Sequence, residues 1–239
     1  MRAFMMFLLT GICVSPAFAQ TALRVQPVTV DVVAPAQASS VTLQNRGKTP
    51  ISLQVQVFEW TQVDGADVYR PTTEVVASPP RAMMEPGVGY TVRLARTGNT
   101  AISGEKAYRL WINEQPPAQP PKTEGGQVDV RIRYDIPVFF HQPGAKPALT
   151  WRAFRERGNL YVGASNSGTG HARIEQLAVD TARGPWPVTP GLAGYVLAGS
   201  SRSWRVPPRN DLPQGRADVD LIAKVDGGEM RKSILIDQR

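Results

Sequence analysis

Apolar residues in this chain recur at every second position. Ile51, Leu53, Val55 and Val57 alternate with Ser52, Gln54 and Gln56, and Tyr108, Leu110 and Ile112 alternate with Arg109, Trp111 and Asn113. Val128, Val130, Ile132, Tyr134 and Ile136 do the same against Asp129, Arg131, Arg133 and Asp135. A period of two separates the faces of an extended strand and does not match the helical period. No amphipathic helical pattern longer than two turns occurs. Strands with one apolar face must stack as pairs of sheets. The 21 glycines and 21 prolines scattered through 239 residues supply turns for many short strands. The expectation is an all-β protein.

The strands fall into two series. In the first, Val28, Val30 and Val32 also alternate with Thr29 and Asp31, and Val92 and Leu94 flank Arg93. Asn45-Arg46-Gly47 reads as a hairpin turn between neighbouring strands. About five to seven short strands in this half fit one antiparallel sandwich. Gln142-Pro143-Gly144-Ala145-Lys146-Pro147 then has linker composition. A second series follows at Leu160–Val162, Ala172–Val179, Tyr195–Leu197, Trp204–Val206, Val219–Ala223 and Ser233–Ile236. Asn166-Ser167-Gly168-Thr169-Gly170 and Asp226-Gly227-Gly228 are turns within it.

Residues 1–19 carry an export signal. Arg2 precedes the apolar run Phe4–Val14, and Ala17-Phe18-Ala19 has the small-x-small form of a cleavage site. The run is about eleven residues, too short to span a bilayer. Cys13, the single cysteine, leaves with this segment, so the mature chain from Gln20 has no disulfide. The expected layout is a signal peptide over 1–19, one sandwich over 20–142, a hinge over 143–147 and a second sandwich over 148–239. The expected compartment is the periplasm.

Catalytic constellations are mostly absent. Two histidines and one departing cysteine exclude most multi-ligand metal sites. No Gly-x-Ser-x-Gly elbow or Walker-type glycine loop occurs, which argues against an enzyme and against a nucleotide or other cofactor. His171 beside a glycine-rich turn, with Asp180 or Asp226, is the nearest thing to a hydrolase arrangement, and a structural turn histidine is the simpler account. His141 has a weaker case still. Glu59, Asp64 and Asp67 bracket a turn and read as a solvated hairpin tip. The chain has 27 basic and 20 acidic residues, net +7, but the cations are dispersed, with Arg152, Arg155 and Arg157 the densest group. No basic run interleaved with aromatics suggests nucleic acid.

Val128–Ile136 is more informative. Its opposite face carries charges of both signs, a device that keeps a sheet edge soluble. It follows the proline-rich stretch Pro116–Pro121 and Gly125-Gly126. Such a strand is either one more member of the first sandwich or a strand that adds itself to a partner's open edge.

Pro86-Gly87 with Thr91-Val92-Arg93-Leu94, then Tyr108-Arg109-Leu110-Trp111-Ile112-Asn113-Glu114-Gln115-Pro116-Pro117, resembles the periplasmic pilus-assembly chaperones of chaperone–usher systems. Ile136-Pro137-Val138-Phe139-Phe140, Asn166-Ser167-Gly168 with His171-Ala172-Arg173, and Tyr195–Ser200 extend the resemblance over the mature chain. It implies two immunoglobulin-like β-sandwiches in a boomerang, with a subunit-binding cleft between them. It also implies donor-strand complementation, with Val128, Val130, Ile132 and Tyr134 filling the groove of an incomplete subunit. An outer-membrane usher would then receive the subunit. An exposed apolar edge is also compatible with self-capping of the free chain into oligomers.

The family clamps a subunit's terminal carboxylate with an arginine and a lysine, at positions occupied here by Thr29 and Pro137. Arg109 and Arg93 are the substitute candidates implied. An interdomain ion-pair cluster would combine Arg93, Glu105 and Asp226. Pro137-Val138-Phe139 resembles the archaic branch, whose subunits are spore-coat-U-like. A different class stays in view: an exported two-domain adhesin or carbohydrate-binding protein using Trp111, Trp151, Trp186 or Trp204.

Overall fold

The computed structural model describes residues 23–98, 100–116 and 131–238. The leader, Val128 and Val130 lie outside the described residues. Within them the regular elements are strands. The first half contains β1 (Leu23–Gln26), β2 (Val30–Val33), β3 (Ala38–Asn45), β4 (Ile51–Val63) and β5 (Ala66–Pro71). It continues with β6 (Val75–Ser78), β7 (Arg81–Met84), β8 (Gly89–Arg96), β9 (Glu105–Glu114) and β10 (Arg133–His141). One sheet has the order β1-β3-β8-β6; the other runs β2-β10-β9-β4-β5, with β7 also against β4.

The alternating residues do what their period requires. Val41, Leu43, Val92 and Leu94 face inward from one sheet, and Leu53, Val55, Tyr108, Leu110, Ile112, Val138 and Phe140 from the other. Each large side chain so buried contributes roughly 1.5–3 kcal/mol. Asn45-Arg46-Gly47 is a turn but not a hairpin, which corrects the sequence expectation. β3 pairs with β1 and β8, whereas β4 belongs to the opposite sheet, so the turn crosses between layers. The Asn45 amide holds it, donating to Thr49 O at 2.9 Å and Met84 O at 3.0 Å.

β10 is divided along its length. Val138–His141 pair with β2 in parallel on one side and with β9 on the other. Arg133–Pro137 pair with β9 alone, leaving an open edge among the described residues. The strand runs on past the expected end at Ile136 to His141.

The second half comprises β11 (Leu149–Glu156), β12 (Asn159–Asn166), β13 (Ala172–Thr181), β14 (Gly184–Val196), β15 (Ser201–Arg205), β16 (Asp218–Val225) and β17 (Gly228–Gln238). Their order is β14-β13-β16-β17-β11-β12-β15. Gly228–Leu235 of β17 pair with β16, and its last residues pair with β11, so the order folds over into two layers. Trp151, Val162, Ile174, Leu177, Val179, Trp204, Leu221 and Ile236 fill the space between them. Arg152 and Arg155 of the densest basic group lie on β11, with Arg157 just beyond its end.

Candidate functional site

Residues of β4, β5, β9 and β10 that do not enter the first core share one outer face. Across the pairing they form rows: Asp135 opposite Trp111 and Gln56, then Pro137 opposite Arg109 and Phe58, with Tyr69 opposite Trp60. The end of this face is covered by the second sandwich. Trp60, Phe139, Tyr195 and Leu197 form a small buried cluster of their own, drawn from both halves. Phe139 stacks on the His171 ring with centroids 3.6 Å apart.

Polar contacts fix this junction. The Glu105 side chain is only 4% exposed, and its carboxylate accepts from the His171 backbone N–H at 3.0 Å and meets His171 Nδ1 at 2.8 Å. Gln62 Nε2 donates to Tyr195 O at 2.9 Å, and its Oε1 accepts from Leu197 N–H at 3.0 Å. Asp67 accepts from Trp60 Nε1 at 2.9 Å, Gln62 Nε2 at 2.8 Å and Arg202 Nη1 at 3.1 Å. Burial alone would raise the Asp67 pKa; the Gln62, Trp60 and Arg202 donors outweigh it and hold the group below its ordinary value. The hairpin tip read as solvated is therefore a bridge to the second sandwich.

Arg109 lies at the edge of this junction. Its guanidinium carbon sits 3.7 Å from the Trp60 ring centre and 5.5 Å from that of Tyr195. Nη1 reaches Asp135 Oδ1 at 3.4 Å, and Nε is buried with no hydrogen-bond partner. Trp111 is beside it, packed on Phe58 at 4.3 Å and covered by the Arg133 guanidinium at 4.4 Å. Thr29 and Pro137 each immediately precede the Val30–Val138 pair, and Pro137 pairs with Arg109 across β9. The arginine thus lies one strand over from Pro137 and two from Thr29, the positions that lack the family's basic pair.

Other expected partnerships do not form. Arg93 is exposed on β8, in the opposite sheet, where its neighbours are Ser40 and Ser78. Facing outward from the other layer, it shares no site with Arg109. Glu105 is given to His171 rather than Arg93, and Asp226 accepts from the Arg173 backbone N–H at 2.8 Å. His171 is accordingly a junction residue and not a base paired with Asp180 or Asp226; Asp180 pairs with Arg231 instead. Trp151 and Trp204 are buried in the second core and stacked 6.2 Å apart, so neither is available to a sugar. Ile132 and Tyr134 are half-buried, with Tyr134 Oη donating to Leu23 O at 2.7 Å.

The junction residues Trp60, Gln62, Phe139 and Tyr195 and the counter-ion Asp135 escaped sequence reasoning. One signal was available: Val138-Phe139-Phe140 breaks the alternation, and an unbroken apolar run means burial on both faces.

The model of the pili and flagellar-assembly chaperone family, PapD N-terminal domain, matches residues 22–145. The chain belongs to this family. Among solved structures it is similar to a chain of the CsuC–CsuE chaperone–tip subunit pre-assembly complex from the archaic Csu pili of Acinetobacter baumannii. That similarity has 24% identity and a TM-score of 0.67, covering 92% of this chain and 100% of that one. The Salmonella enterica SafA pilin–SafB chaperone complex gives 19% identity and a TM-score of 0.62, covering 92% and 97%. The Pseudomonas aeruginosa CupB2 chaperone gives 17% and 0.58, covering 90% and 100%. A search of curated proteins finds no match.

Proposed function

We propose that the chain is a periplasmic chaperone that captures pilus or spore-coat-U-like subunits with the open edge of β10 and delivers them to an outer-membrane usher. The observation that carries this reading is the division of β10: among the described residues Arg133–Pro137 have no strand partner on one side, while Arg109 lies on β9 along their other side, in long contact with Asp135. A subunit that lacks a strand has the complementary deficit, an empty apolar groove and unpaired backbone groups. One inserted strand satisfies both. Val128, Val130, Ile132 and Tyr134 would fill the groove, and Arg109 would hold the subunit's terminal carboxylate, for which a guanidinium fork is suited. With a mature first domain over 20–142 and a second over 148–239, the client would lie beside the junction of the two.

The test is a tagged pull-down of residues 20–239 from native periplasmic extract beside the Ile132→Asp variant. Wild type is expected to recover a small secreted β-subunit in stoichiometric amount, and the folded variant none. Capture by the folded variant would remove the donor-strand assignment.

A further inference from the structure

The Arg109 site already contains a carboxylate. Asp135 Oδ1 stands 3.4 Å from Nη1, well beyond the distance of a strong charge-assisted bond, about 2.7–2.9 Å. Arg109's side chain is 12% exposed and Asp135's is 39% exposed, so the cation is held in the protein while its counter-ion sits at the rim. Trp60 and Tyr195 cover the guanidinium on its ring-facing sides. Nε is buried without a partner, so the approach left to an acceptor is at the Nη end, where Asp135 already stands. A loosely bound counter-ion and an unsatisfied donor on one guanidinium describe a site occupied by a stand-in.

We propose that Asp135 is a specificity-determining residue: it neutralises Arg109 in the free chaperone and competes with the incoming chain terminus for it. The inference rests on Arg109 being the subunit anchor. Asp135 lies on the same strand that forms the open edge, opposite Trp111 in the register, so a chain pairing with Arg133–Pro137 passes alongside it. A terminal carboxylate that takes the two Nη groups in two parallel bonds gains more than the single long contact gives Asp135. A neutral chain end or an internal carbonyl gains too little to displace it. Asp135 therefore lowers affinity for every ligand that approaches the arginine and lowers it least, relative to the gain, for a chain terminus.

The experiment uses the last eleven residues of the subunit recovered in the pull-down, synthesised as the free acid and as the C-terminal amide. Binding to full-length wild type, Asp135→Asn and Arg109→Ala is compared at low and high salt. Wild type should prefer the acid. Asp135→Asn should bind the acid about two- to fivefold more tightly at low salt, the scale of a half-exposed ion pair, with the gain shrinking as salt rises. Its binding of the amide should change less, and Arg109→Ala should bind acid and amide alike. If Asp135→Asn binds the acid equally or more weakly, Asp135 does not compete and the proposal falls while the anchor stands. If wild type fails to distinguish acid from amide, or Arg109→Ala keeps the preference, the anchor falls and the proposal with it.

Discussion

Asn45 and Asn166 are the two fully polar residues buried in the described structure, and they do the same work in the two sandwiches. Each begins an Asn-x-Gly turn at the end of a strand. Each accepts the glycine's N–H on its side-chain oxygen, Gly47 at 2.9 Å and Gly168 at 3.0 Å, and sends its amide to two carbonyls, one four residues on and one on a distant strand. Asn166 also accepts from Ala148 N–H at 2.9 Å, tying the turn to the segment that enters the second half. Asn166→Ala would strand buried carbonyls at Gly170 and Val196, at about 1–3 kcal/mol per unsatisfied group. Urea unfolding should show a loss of at least about 2 kcal/mol, against less than about 0.5 kcal/mol for Ser167→Ala at the exposed neighbour. The Asn-x-Gly spelling was legible as a turn. Its destination was not, because local turn chemistry is the same whether the next strand pairs with the last or crosses to the other layer.

At the scale of the element, legibility followed exposure. Alternation located β4, β9 and the described start of β10, strands with one face in the core. It missed β5, β6 and β7, short pieces at sheet margins, and most of β14, where Pro185, Pro187 and Pro190 mark a strand with a neighbour on one side only. β10 also ends in a titrating contact. His141 Nδ1 donates to Gln142 O at 3.0 Å and Nε2 lies 2.7 Å from Asp31 Oδ1 on β2, so the protonated ring satisfies both acceptors. Burial pulls the His141 pKa down, but the Gln142 carbonyl and the Asp31 carboxylate together leave it above the ordinary value. The folded-state pKa being the higher one, the pair's stabilisation is present in full below the unfolded value of about 6.5 and lost as pH rises through the folded one. Asp31 is largely exposed, which limits the effect to less than about 1 kcal/mol. Thermal unfolding followed from pH 6 to 9 should reveal this decline in wild type, and Asp31→Asn should flatten it.

In the whole molecule the relative placement of the halves depends on a few side chains: Gln62 and Asp67 from the β4–β5 hairpin, Phe139 and Glu105 near the hinge. None was identifiable in advance, because aromatic and polar side chains contributed partly by each sandwich look like ordinary variety until the two meet. Asp67 has a lowered pKa in the fold, so its contribution is present above the ordinary value of 3.8 and lost as pH falls through the folded one. Small-angle scattering followed from neutral pH down into the acid range should detect loosening between the halves, and Asp67→Asn should show part of that loosening already at neutral pH. Tyr195 shows what that placement means for a client. It belongs to the half that lends no strand, yet its ring helps to cover the arginine of the half that does. If Arg109 is the proposed anchor, the first sandwich severed at Gly144 would keep its sticky border and lose one wall of the socket for a chain's last residue. On that proposal the molecule would read the end of a sentence with two hands, and either hand alone would feel only letters.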